Sequence, residues 1–229
     1  GDYDSAIDYH NRSILISEKI NDDLGVARSL TTIANIYNRI KKYDKALEYH
    51  LRSLQLCEEL EHEKGIAICY NNIGIVYGRK GKYNKSLDYY SKALALQEKL
   101  GNELAVAHAL GNIGMLHQLQ GNHTRALDYY RRSLSINKKI DNKEGVSGIL
   151  SNMGEVYQKK GEYDSAIRYN LMSLKIAEKI GAARNIAEAA EGLYLAYKAE
   201  GMYAKSLEMH DLFDEITDSL ESENNKNKL

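Results

Sequence analysis

The sequence predicts an all-α solenoid of antiparallel helix hairpins with about 11 helices. Three observations carry the prediction. Proline is absent from the 229 residues, so no helix need be interrupted. The strand-favouring clusters bounded by turn residues are missing. Shifting the sequence on itself by 40 residues aligns Tyr3, Tyr43, Tyr83, His123, Tyr163 and Tyr203 without a gap.

The same shift aligns Ala6, Ala46, Ser86, Ala126, Ala166 and Ser206, and then Ile20, Leu60, Leu100, Ile140, Ile180 and Leu220. Further columns run through Gly74, Gly114 and Gly154, and through Tyr37, Tyr77, His117, Tyr157 and Tyr197. Apolar positions recur three and four apart, so each unit reads as two helices. Gly81, Gly121, Gly161 and Gly201 stand where a first helix needs a left-handed closing residue. Asp44, Asn84, Thr124 and Asp164 follow three residues later and are expected to cap the second helix. Turns around Asn21-Asp22, Gly101-Asn102 and Asp141-Asn142 are expected to cap the next first helix.

These boundaries give one array over 1–220. Residues 1–20 form a lone second helix of a truncated repeat. Hairpins follow at 22–60, 62–100, 102–140, 142–180 and 182–220, and 221–229 is expected to be a polar tail or linker. The missing first helix before Asp2 implies that Gly1 is not the natural start. Tyr194 and Phe213 replace small residues of their columns and suit a closing hairpin.

Composition narrows the function. The chain is 43% hydrophobic and 28% charged, with formal net charge -1, which gives no electrostatic footprint for nucleic acid or an anionic membrane. No apolar run approaches the roughly 20 residues that span a bilayer, and the first residues carry no signal peptide. Nucleic acid and direct membrane contact are therefore not expected. Zinc-binding, phosphate-cradling and Ser or Cys nucleophile motifs are absent from the sequence, so neither catalytic residues, a metal nor a cofactor is expected. Cys57 and Cys69 lie symmetrically about the turn near Glu63, as a disulfide or as two small apolar packing residues.

The third repeat shows the pattern in full: Leu110, Ile113-Gly114, His117, Gly121-x-His123, Ala126 and Ser133. It resembles the tetratricopeptide repeat, and the other copies restore the tyrosines. The usual period is 34 residues, with a proline closing the second helix. Here that position holds Glu58, Glu98, Lys138, Glu178 and Asp218, so the helix is free to continue, and six extra residues add roughly 1.7 turns. The resemblance implies a right-handed superhelix whose first helices line a concave, peptide- or protein-binding groove.

The face left free by the packing stripe holds Arg28, Asn35, Arg39, Asn71, Asn72 and Arg79 early in the array. His108, Asn112, Met115, Gln118, Asn152, Glu155 and Lys159 follow, then Glu188 and Glu191, so its charge passes from basic to acidic. Asn72, Asn112 and Asn152 form a ladder suited to a peptide backbone, or to bonds with neighbouring helices. In the carboxylate clamp of some family members Asn35 and Asn72 fit, but Thr31, His108 and Asn112 replace its basic residues or their helpers. His117 and His123 replace tyrosine together and are read either as a pH-sensitive pair or as tolerated aromatic replacements. His10, His50 and His210 share a column and are expected to be partly packed. The tyrosines are expected to pack rather than to stack on bases.

The closing run Gly181 to Ser222 resembles the end of sensor arrays in Bacteroidetes-type histidine kinases and related signalling proteins. That resemblance implies a sensory region of a two-component protein, periplasmic if it belongs to a membrane kinase and otherwise cytoplasmic. Stand-alone adaptors with 40-residue repeats, and a self-associating assembly scaffold, are the alternatives.

Overall fold

The described part of this computed structural model covers residues 3–226, and the expectation for Gly1 lies outside it. Among the described residues every element is a helix, eleven in all. They are α1 (Tyr3–Lys19), α2 (Asp23–Arg39), α3 (Tyr43–Glu59), α4 (Glu63–Arg79), α5 (Tyr83–Lys99), α6 (Glu103–Leu119), α7 (His123–Lys139), α8 (Lys143–Lys159), α9 (Tyr163–Ile180), α10 (Ala183–Ala199) and α11 (Tyr203–Lys226). Even-numbered helices are first helices of a repeat, and odd-numbered ones are second helices. The extra length of each repeat is helical, since helices such as α2 and α3 run for 17 residues and are joined by short turns such as Ile40–Lys42. α11 runs through Glu221 to Lys226, so the first part of the expected polar tail continues the last helix.

The turns close on backbone geometry. Gly81, Gly121, Gly161 and Gly201 adopt φ of +71, +76, +75 and +73°, the left-handed conformation expected of them. The next residue's N–H then reaches back, as Lys82 does to the Tyr77 carbonyl at 2.9 Å. This closure turns the chain directly into the second helix, which therefore starts two residues earlier than its expected caps imply. Asp44, Asn84, Thr124 and Asp164 consequently sit inside the first turn, and the capping positions Lys42, Lys82, Asn122 and Glu162 make no side-chain cap bond. The first helices are capped as expected at Asp22 and Asn142, whose side-chain oxygens accept from the Gly25 and Gly145 N–H groups at 2.9 and 3.1 Å. His62 does the same for Gly65 at 3.0 Å.

The chain divides into two compact units, one ending at Ala109 and one beginning at Leu110. In the first, Leu47, Leu54, Ile73 and Val76 form the core with Cys57 and Cys69. Both cysteines are free and buried, which settles them as packing residues. Burial pushes the Cys69 thiol up to about 11. The second unit holds two clusters, around Leu127, Tyr130 and Met153, and around Leu174, Leu193 and Tyr197. Within each unit buried serines tie second helices to first helices. Ser53 donates to the Ala27 carbonyl and Ser173 to that of Ser147, both at 2.8 Å.

Glycine sets the closest approach. A Cβ at Gly74 would lie 2.9 Å from the Tyr90 ring, and one at Gly114 would lie 2.7 Å from the Tyr130 ring. Both rings are buried, so neither can swing away. Gly114→Ala is expected to cost about 1–3 kcal/mol in urea unfolding by overpacking. An unchanged midpoint and slope would contradict this packing account.

Candidate functional site

First helices expose one face while the remainder of their surface packs. Arg28, Asn35 and Arg39 on α2 are exposed, as are Arg79 on α4, His108 and Met115 on α6, and Glu155 and Lys159 on α8. Asn71, Asn72, Asn112 and Asn152 are half-buried. Asn71 Nδ2 donates weakly to Asn72 Oδ1 at 3.5 Å. Gln118 corrects the sequence reading: it is only 6% exposed, and its Oε1 accepts the Tyr130 hydroxyl at 2.8 Å. A helical wheel places Gln118 beside Met115, but the long Tyr130 side chain reaches under it.

Each unit gathers part of this face around its own cavity. In the first, Arg28, Thr31 and Ile68 line a largely apolar cavity of about 360 Å³ whose wall includes His62 and Gly65. Thr31 already pairs with the Ser53 hydroxyl at 2.9 Å. In the second, Asn152, Glu155 and Lys159 meet Glu188, Glu191 and Asn170 around a cavity of about 490 Å³. Asn35, Arg39, Asn71, Asn72, Arg79, His108, Asn112 and Met115 line neither cavity. Apolar side chains on first helices remain open beside these polar groups, with Ile68, Met115 and Leu119 between 43% and 51% exposed.

Family models for the tetratricopeptide repeat match residues 1–59 and 65–139, and a second such model matches 149–180. The chain belongs to the tetratricopeptide repeat family. A search of curated proteins finds no match. Among solved structures the array is similar to BtubC from P. vanneervenii, with TM-score 0.82 and 19% identity over 96% of this chain and 93% of that one. It is also similar to the Rap conjugation gene regulator of plasmid pLS20 in complex with the Phr* peptide, with TM-score 0.64 and 20% identity over 86% of this chain and 57% of that one. A signal transduction ATPase with a tetratricopeptide repeat sensor from Pyrococcus horikoshii aligns with TM-score 0.71 and 16% identity, over 85% of this chain and 33% of that one. At these identities the likeness concerns fold.

Two histidines, His117 and His50, are packed more deeply than their spacing implies. His117 is 8% exposed and stacks on Tyr129, with ring centroids 5.4 Å apart. Burial, and secondarily the Arg125 charge, lower its pKa. Stacked rings at Tyr77 and Tyr89, and at Tyr157 and Tyr169, occupy the equivalent place, so His117 acts there as an aromatic plate. Among the described residues no hydrogen bond joins His117 to His123, and the Nδ1 of each is buried without a partner.

His50, read from sequence as partly packed, is wholly buried, and neither ring nitrogen has a partner. Burial lowers its pKa from 6.5 to about 4. The unfolded chain therefore takes up this proton at higher pH than the folded one. The stability His50 confers is complete above about pH 6.5 and is lost as pH falls toward 4. Between pH 7 and pH 5 the stability of the chain relative to His50→Leu should fall by roughly 2 kcal/mol in urea titrations. A difference independent of pH would contradict a neutral buried imidazole.

Proposed function

We propose that this array is a non-catalytic module that binds an extended peptide or protein segment on the exposed face of its first helices. It would serve as the sensory or regulatory region of a larger bacterial signal-transduction protein of the histidine-kinase type. The supporting observation is the composition of that face. Ile68, Met115 and Leu119 stay open to solvent, and half-buried Asn72 and Asn152 on first helices carry amide donors and acceptors. Apolar anchors supply area, and amides satisfy a peptide backbone that leaves water.

The fold is compatible with that use elsewhere. A Rap regulator of similar fold is known in complex with the Phr* peptide, and an ATPase of similar fold uses its array as a sensor. Ligand binding here would act on an output module by favouring one conformation of the array over another. No helix among the described residues is long and apolar enough to cross a membrane, so coupling to a membrane-borne output would pass through other sequence.

Selection of displayed random peptides against the chain tests the reading. Recovered peptides should bind in the micromolar range or tighter, and Ile68→Asp together with Asn72→Ala should weaken them on the order of tenfold. Binding unaffected by these changes would overturn it.

A further inference from the structure

The second unit departs from its own repeat at two places that meet. Where the second helices carry Tyr90 and Tyr130, α9 carries Asn170. Where the first helices carry Asn72, Asn112 and Asn152, α10 carries Gly192. In the two preceding repeats an aromatic ring fills the space against the glycine of the first helix, Tyr90 at Gly74 and Tyr130 at Gly114. Asn170 is too short to do so. Its amide sits instead between two glycines, with a Cβ at either Gly154 or Gly192 falling 2.6 Å from its Nδ2. The volume given up by the missing ring and the missing asparagine side chain opens the cavity of about 490 Å³.

The floor of this cavity is chemically unfinished. Asn170 is 1% exposed, and its Nδ2 makes no hydrogen bond. A buried amide left unpaired is destabilising, so the site retains hydrogen-bonding capacity that a ligand can satisfy. The rim supplies charge. Glu155, Glu188 and Glu191 face the cavity against one cation, Lys159, which already pairs with Glu155 at 2.7 Å. Burial, with Arg184 opposing it and the Glu191 and Glu155 charges adding to it, holds the Glu188 carboxyl above its usual range. Glu188 and Glu191 stand one helical turn apart on this rim, and Arg184 lies near enough to Glu188 to oppose part of its charge.

These carboxylates do not form a metal site, since no three acidic, His or Cys side chains among the described residues converge closely enough to hold an ion. They are spaced around an opening instead, with Leu195 as an apolar wall. Such a frame suits a spread, hydrogen-bonding organic cation attached to a short hydrocarbon stem.

We propose that this cavity is a subsite for a cationic group of the bound peptide, an ammonium or guanidinium seated between Glu188 and Glu191, with a neighbouring peptide carbonyl accepting from Asn170 Nδ2. It rests on the reading of the array as a peptide-binding module and specifies what one part of the peptide must carry. A basic side chain and a free amino terminus offer the same chemistry.

NMR titration of the isotope-labelled full chain separates the two sources. N-acetyl-arginine N-methylamide is compared with its uncharged analogue N-acetyl-citrulline N-methylamide, and alanine N-methylamide with its N-acetylated form. The Asn170 side-chain amide and the Gly192 backbone amide should shift saturably with at least one cation and not with its neutral counterpart. The arginine arm then identifies a side-chain pocket, and the alanine arm an amino-terminal one. Glu188→Gln with Glu191→Gln should weaken the response on the order of tenfold. Asn170→Tyr, which restores the ring of the preceding repeats, should abolish it. Equal shifts from charged and neutral probes, or no saturable shift at these two amides from either cation, would overturn the proposal. A selected peptide that still binds Glu188→Gln/Glu191→Gln undiminished would overturn the subsite and leave the module reading intact. Failure to select any peptide bears on the module alone, because the small cations read the cavity directly.

Discussion

The structure depends on how closely a first helix may approach the second helix of its own hairpin. At Gly74 and Gly114 the absence of a side chain lets a buried tyrosine ring occupy the space a Cβ would need. Such contact gains dispersion from many atoms at once and tolerates no added methyl. Buried serines then lock the same hairpin, as Ser86 does by donating to the Gly74 carbonyl at 2.6 Å. A repeat fixed at these points has little freedom elsewhere, so a 40-residue period persists without a slip.

Rigid packing on one side determines what the other side can do. Because the glycine stripe and its neighbours are committed to the hairpin, variation along the first helices is confined to the opposite face. Arg28, Ile68, Asn152 and Glu155 all lie there, and they differ in chemistry while their backbone positions repeat. The departures at Asn170 and Gly192 show the converse case, in which changing the packing residues themselves creates a cavity. Recognition in this chain therefore has two sources, the side chains displayed on a constant frame and the gaps left where the frame is relaxed.

Much of this was legible in the sequence. The helix count, the hairpin spacing and the left-handed glycines follow from periodicity, because these features are local and each repeat casts the same vote. The capping residues of the second helices did not follow, since the backbone closure after Gly81 and its equivalents starts the helix one residue before the side chain best suited to cap it. Gln118 was misplaced for a different reason. Helical position gives the direction of a Cα–Cβ bond, whereas Gln118 is buried by Tyr130 reaching across from the next helix. His50 and Asn170 stand in the same column, and comparing that column with Tyr90 and Tyr130 would have flagged both. The unpaired nitrogens that make them informative appear only once their surroundings are known.

On the proposed function, the exposed face of the first helices receives the ligand. Hydrogen–deuterium exchange of the chain with and without a selected peptide tests this most directly, since ordering by a ligand slows local opening where it binds. Exchange should slow in α2, α4, α6, α8 and α10, most strongly beside Ile68 and Gly192. Slowing confined to the outward surfaces of α3, α5 and α9, with the first helices unchanged, would contradict it.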